Sequence, residues 1–158
     1  MSQVSRIDWT FFTSGAEGSG TDSEVSLEIY RDGGLIVAVD DEPGETARLD
    51  RGEIATRYWQ FQNSTGLGMA VSGTAVPYTE DFPSGVRGHL VVRIRIHGDD
   101  AWRKERIESR VWSGELQGIP GTIDSVQWVE TPESFVFSQE VVLSTNNAEG
   151  HTTWDLRY

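Results

Sequence analysis

Apolar and polar residues alternate along most of this chain with a period of two. The pattern is clearest at residues 90–96, where Leu90, Val92, Ile94 and Ile96 alternate with Val91, Arg93 and Arg95. Successive side chains of a β-strand point to opposite faces, so this alternation predicts a strand with one buried face. Residues 7–11 and 25–29 repeat the pattern. Further strand candidates are residues 35–39, 56–62, 107–112, 122–129, 135–143 and 152–158.

The strand candidates are separated by turn signals such as Asp32-Gly33-Gly34 and Pro43-Gly44. About eight or nine short strands with frequent turns predict an all-β fold, an antiparallel β-sandwich. We expect one domain over residues 1–158, with a loop excursion at about residues 66–88 that carries one short strand near residues 69–76. The one candidate helix covers residues 100–108, and a loop followed by a strand is its rival interpretation.

The charge balance limits the classes of partner. The chain has 158 residues, a net charge of −12 and a pI of about 4.5. Nucleic-acid binding depends on Lys and Arg that neutralise phosphate, so no nucleic-acid partner is expected. The same charge opposes direct docking on anionic lipid.

The sequence leaves the native compartment open. The absence of cysteine excludes disulfides and thiolate metal sites. No apolar stretch approaches the length of a transmembrane helix, about 20 residues. The N-terminus lacks the layout of a secretory signal. These features are typical of a soluble chain that is cytoplasmic or exported by another route.

Three acidic loops are candidates for metal binding. They cover residues 18–22, 40–45 and 98–102 and are called loops one, two and three. Loop one is glycine-rich, ends on Asp22 and precedes a strand, whereas loops two and three follow strands. Carboxylates gathered at one end of a sandwich repel one another, and a divalent cation relieves that repulsion. In the rival interpretation the loops point apart and are solvated.

Several motifs occur in the order and at the spacing of one known family: Thr13-Ser14-Gly15, Gly20-Thr21-Asp22, Asp32-Gly33, Asp41-Glu42-Pro43-Gly44-Glu45, Asp100-Ala101-Trp102 and Val142-Leu143-Ser144. Over residues 5–158 the chain resembles a PLAT domain, the C2-like β-sandwich of lipoxygenases, polycystins and several lipases. The resemblance is closest to the C-terminal domain of the clostridial alpha-toxin type of phospholipase C.

The resemblance implies that the three loops bind one or two Ca²⁺ ions. The implied carboxylate ligands are Asp22, Asp41, Glu42 and Asp100, with Glu45 beside them, and the implied loop oxygens are those of Gly20, Thr21, Gly44 and Ala101. Gly18 and Thr46 stand where the family has ligand aspartates. The resemblance therefore implies that at least one of the family's calcium sites is lost or weakened.

Exposed loop aromatics of this family can enter a membrane interface, where amphipathic rings are favoured. Trp102, in loop three, is a candidate membrane contact, with packing in the core as its alternative. Tyr78 and Phe82 are further candidates. The tryptophans in strand patterns are expected in the core: Trp9, Trp59, Trp112 and Trp154.

Two function classes remain open. The first is a non-catalytic module that docks on a lipid or membrane surface through loops bridged by Ca²⁺. The second is a protein–protein interaction or assembly domain on the same sandwich, with Ca²⁺ structural or absent. A carbohydrate-binding sandwich is a third interpretation. No enzyme activity is expected, because the three histidines are scattered and no GxSxG motif occurs.

Overall fold

The strands of this chain form two layers. The computed structural model describes residues 2–40, 49–61, 79–118, 121 and 126–158. These residues include no helix long and apolar enough to cross a membrane. They form the strands β1 (Ser2–Thr13), β2 (Glu24–Arg31), β3 (Gly34–Asp40), β4 (Ile54–Gln60), β5 (Glu80–Phe82), β6 (Leu90–His97), β7 (Trp102–Gly118), β8 (Val126–Phe137), β9 (Val141–Leu143) and β10 (Thr153–Arg157).

The strands divide into two antiparallel sheets. The first has the order β4-β1-β7-β8, with β5 also paired to β1 and β9 to β7, and the second has the order β10-β6-β2-β3. Inward side chains of both sheets, such as Trp9 of β1 and Ile94 of β6, belong to one buried apolar cluster. The prediction of an antiparallel β-sandwich is confirmed, with ten strands in the described residues instead of eight or nine.

Strand β6 follows the predicted alternation. Its inward residues are at most 1% exposed. On the outward face Arg93 donates a 2.8 Å hydrogen bond to Asp155 of β10, and Arg95 donates one of 3.1 Å to Glu28 of β2. The Arg93 guanidinium holds the pKa of the Asp155 carboxyl below its usual range. Charges of opposite sign therefore connect the adjacent strands β10, β6 and β2 of the second sheet on its solvent side.

The candidate helix at residues 100–108 is wrong, and its rival interpretation, a loop followed by a strand, is confirmed. Helix-forming residues are frequent there, but the segment opens β7, which pairs with β1 on one side and with β8 and β9 on the other. Trp102 and Lys104 are buried on the inward face, and a register shift then brings Ile107 to that face. Tertiary packing overrides local helix propensity at this segment. The candidate strand at residues 135–143 also divides, into the end of β8 and the separate strand β9.

Part of the segment at about residues 66–88, which we expected to leave the sandwich, belongs to the fold. Residues 79–88 belong to the fold, because β5 pairs with β1 and both Phe82 and Val86 are buried. The Phe61 amide donates a hydrogen bond to the Ser5 carbonyl, and Glu80 lies opposite Val4, the residue just before Ser5 in β1. β4 and β5 thus occupy successive positions along the same side of β1. The predicted short strand near residues 69–76 lies outside the described residues.

Lys104, the only lysine of the chain, is buried in the sandwich. Its Nζ atom donates a 2.5 Å hydrogen bond to the Gln139 carbonyl oxygen, in the connection between β8 and β9. Burial lowers the pKa of Lys104 from 10.5 to about 8, and the Glu140 carboxylate opposes part of that shift. Among the described residues, no carboxylate contacts the Lys104 ammonium directly, although the group is buried on the inner face of the first sheet.

The stability of the protein should depend on the protonation of Lys104. Between pH 8 and pH 10.5 the unfolded chain keeps the lysine proton that the folded chain has released. The free energy of unfolding therefore rises with pH in this window, by up to about 3 kcal/mol from this group. Lys104→Met has no such group, so its free energy of unfolding should exceed that of the wild type most at pH 7. The difference between the two proteins should shrink from pH 7 to pH 10 in urea titrations. An advantage that stays constant, or a lysine Cε resonance that titrates at its ordinary pKa, would contradict the assignment.

Candidate functional site

Loop one is fixed against two neighbouring segments. The Thr21 amide donates to the Leu49 carbonyl at 3.0 Å, and the Arg103 amide donates to the Ser19 carbonyl at 3.0 Å. Gly20 permits the first contact, because a Cβ atom at this position would lie 2.8 Å from the Arg51 backbone nitrogen. Loop one thus lies between residues 49–53 and the start of β7.

Asp100 joins loop three to loop one, and to Ser23 directly after it, with three hydrogen bonds. Its carboxylate Oδ2 accepts from the Asp22 amide at 2.9 Å, its carbonyl accepts from the Thr21 hydroxyl at 3.1 Å, and its own amide donates to Ser23 Oγ at 3.0 Å. Gly98 makes this approach possible, since it has φ of 103° and a Cβ atom there would lie 2.8 Å from Ser23 Oγ. The two loops are therefore one surface, which we call the acidic rim and define as residues 19–23 and 98–101.

Five of the predicted metal ligands lie in the acidic rim: Gly20, Thr21, Asp22, Asp100 and Ala101. The other four, Asp41, Glu42, Gly44 and Glu45, lie outside the described residues. Asp40 and Leu49, the described residues on either side of loop two, lie at the same end of the sandwich as the rim. Asp40 pairs with Ser26, and Leu49 forms a bridge with Thr21. Loops one and three therefore meet at one end of the sandwich, which is one of the two arrangements that the sequence left open.

The donor atoms of the acidic rim fit a hard cation in part. Asp22, Asp99 and Asp100 are exposed there, and the buried Ser19 Oγ has no hydrogen-bond partner among the described residues. The Thr21 hydroxyl already donates to the Asp100 carbonyl and accepts from the Ser23 amide, so its hydrogen-bonding capacity is largely used within the rim. Among the residues that the structure describes, no group of three acidic or histidine side chains could hold a metal. Calcium takes six to eight oxygens, so the rim alone supplies an incomplete set.

Two of the candidate membrane contacts are wrong. Trp102 is 0% exposed, its indole N–H donates to Thr13 Oγ1 at 2.9 Å, and its ring packs edge-on against Phe11. Phe82 is 1% exposed on β5. Both rings belong to the sandwich core because their strands turn them inward. The third candidate, Tyr78, lies outside the described residues.

Sequence reasoning missed Ser19 and Ser23. Ser23 fixes loop three through the Asp100 amide, and Ser19 supplies the unpaired buried hydroxyl. Both residues are common loop residues with no spacing signal of their own. Only the contact between loops that are distant in sequence shows their positions.

Comparisons with known proteins show no family and a distant structural similarity. A scan of protein-family models and a search of curated proteins both find no match. Among solved structures, the chain is similar to the alpha toxin from Clostridium absonum, with 14% sequence identity and a TM-score of 0.46. The match covers 90% of this chain and 32% of the toxin chain, so this chain spans about a third of that protein's length. At this level the similarity carries no argument about the acidic rim.

The close approach at Gly20 predicts a cost for any side chain there. Gly20→Ala should lower the free energy of unfolding by about 1–3 kcal/mol, because the new methyl group meets the backbone of Arg51 and the loop must shift. Gly15→Ala is the matched control, since no atom lies within 4 Å of its added Cβ atom. Its effect should stay within about 0.5 kcal/mol. Equal urea midpoints for the two variants would contradict the packing of loop one.

Proposed function

We propose that the acidic rim binds calcium and that the bound ion attaches the protein to an anionic phospholipid surface. The observation that supports this most is the position of Asp100. It holds loop three against loop one, so that two exposed carboxylates, those of Asp22 and Asp100, lie on one surface. In this proposal the domain is a binding module without catalysis of its own.

Electrostatic repulsion between the Asp22 and Asp100 carboxylates favours binding of a cation at the rim. Two unit charges 4 Å apart interact by about 4 kcal/mol at an effective dielectric constant near 20. An ion of charge +2 turns that repulsion into attraction. The proposed ligands in the rim are the carboxylates of Asp22 and Asp100 and backbone oxygens of Gly20, Thr21 and Ala101.

The remaining ligands are those that the PLAT resemblance implies in loop two. They are the carboxylates of Asp41, Glu42 and Glu45 and the carbonyl of Gly44. With them the oxygen count reaches the six to eight that calcium takes. We propose one or two ions with micromolar to millimolar affinity, as is usual for exposed sites built from several loops.

Calcium would also reverse the repulsion between this chain and an acidic membrane. The net charge of −12 opposes contact with anionic lipid. A bound ion can share its open positions with lipid phosphate oxygens. Because Trp102 and Phe82 are buried, the proposed contact is electrostatic and does not use their rings for insertion. Docking should therefore weaken as salt concentration rises.

Cosedimentation with vesicles tests the proposal. The wild-type protein should sediment with phosphatidylserine-containing vesicles in Ca²⁺, and remain in solution in chelator or with vesicles of phosphatidylcholine alone. Asp100→Asn keeps an oxygen that can accept from the Asp22 amide but removes the charge. This variant should need about tenfold more Ca²⁺ for half-maximal binding, because calcium affinity follows the number of charged ligands.

Asp99→Asn is the matched control, since it removes the same charge from the neighbouring exposed residue of the rim, which is not among the proposed ligands. It should change the Ca²⁺ requirement much less than Asp100→Asn does. Equal sedimentation in Ca²⁺ and in chelator would refute the calcium part. A melting temperature that rises with Ca²⁺ while vesicles stay unbound would refute the lipid part and favour the protein-interaction alternative.

A further inference from the structure

A cleft lies at one open side of the sandwich, where β10 of the second sheet faces the end of β8. Its volume is about 620 Å³, within the range of sites that hold ligands. Phe137, Gln139, Trp154 and Arg157 are among its lining residues. The Lys104 ammonium fixes the Gln139 wall through the hydrogen bond to its carbonyl.

The backbone of β10 presents an unpaired edge to this cleft. The Ile96 amide donates to the Thr152 carbonyl, and the Tyr158 amide donates to the Leu90 carbonyl. In an antiparallel pair the hydrogen-bonded positions alternate, so the even-numbered residues of β10 bond to β6. The N–H and C=O groups of residues 153, 155 and 157 therefore point away from β6, toward the cleft.

The same edge is already paired at His151, two residues before β10 begins at Thr153. The His151 amide donates to the Val142 carbonyl, and the Ser144 amide donates to the His151 carbonyl. This bridge to β9 ends at His151, and within the described residues β10 pairs with β6 alone. Unpaired strand edges are the template on which an additional strand forms.

The side chains of the cleft suit apolar residues of such a strand. Trp154 and Phe137 are half-buried and pack at the border of the core. The Asp155 carboxylate at the cleft already forms ion pairs with Arg93 and Arg157, so it needs no positively charged group from a ligand in the cleft. Beyond the cleft, the net charge of −12 attracts basic partners.

We propose that β10 binds an extended basic peptide as an added β-strand, with alternate apolar side chains of the peptide in the cleft. Alternation follows from the strand geometry, which places every second side chain on the same face. This inference goes beyond the calcium proposal and does not depend on it, because the cleft and the acidic rim share no residue.

A peptide of alternating lysine and valine tests the strand geometry on the full chain. Its binding is compared with that of two isomers, one N-methylated at the lysines and one at the valines. A strand on β10 presents one set of amides to the protein and the other to solvent. One isomer should bind as the parent peptide does, and the other should bind about tenfold more weakly or worse. Equal binding of the two isomers, or no binding of the parent, would overturn the proposal.

Protein variants locate the site. Thr153→Pro removes one edge amide at the first position of a strand, where proline is tolerated. It should weaken binding of the parent peptide about tenfold, whereas Thr153→Ala should leave that binding unchanged because it keeps the amide. Trp154→Ala should also weaken binding through the lost apolar contact. The alternative ligand is a neutral hexasaccharide. If it binds wild type and Thr153→Pro equally but does not bind Trp154→Ala, and if the peptide does not bind, the cleft is a saccharide site and the peptide proposal is overturned. If Thr153→Pro does not fold, the two methylated isomers still decide.

Discussion

The fold depends on the apolar layer between the two sheets. Alternate residues of each strand enter this layer, among them Trp9, Ile94 and Ile107. Each buried aliphatic or aromatic side chain contributes about 1.5–3 kcal/mol relative to exposure. Because the layer fixes which face of each strand is inside, it also fixes where the strands end. The acidic rim and the β10 edge both lie where the layer stops, so their positions are consequences of the same packing.

The period of two made most strands predictable from sequence. It succeeded where one face is apolar and the other polar, as in β6, because burial then decides the face of every side chain. It was less informative where polar residues are buried. Lys104 lies on the inward face of β7 and interrupts the apolar pattern, so helix propensity looked as plausible as a strand. The short strand β5 gave no periodic signal, because a strand of its length has too few positions to establish one.

The candidate site was predictable in its chemistry but not in its contacts. Asp22 and Asp100 are 78 positions apart in the chain, yet Asp100 accepts a hydrogen bond from the Asp22 amide. Spacing within a loop cannot show that contact, nor the contribution of Ser23. Of the two interpretations of Trp102, membrane contact was wrong and packing in the core was right, for a related reason. The residue is the last of loop three in sequence, but it is also the first residue of β7 and its ring turns inward.

The central claim is that loops one and three form a single cation-binding surface. A calcium titration of the ¹⁵N-labelled protein, followed by amide chemical shifts, tests it most directly. The amides of Asp22 and Asp100 should shift together with a common midpoint, because one ion would act on both sides of their hydrogen bond. The amides of Asp32 and His89, in a separate turn contact, should stay unchanged. Shifts that are absent from the rim, or that follow different midpoints at Asp22 and Asp100, would contradict the claim.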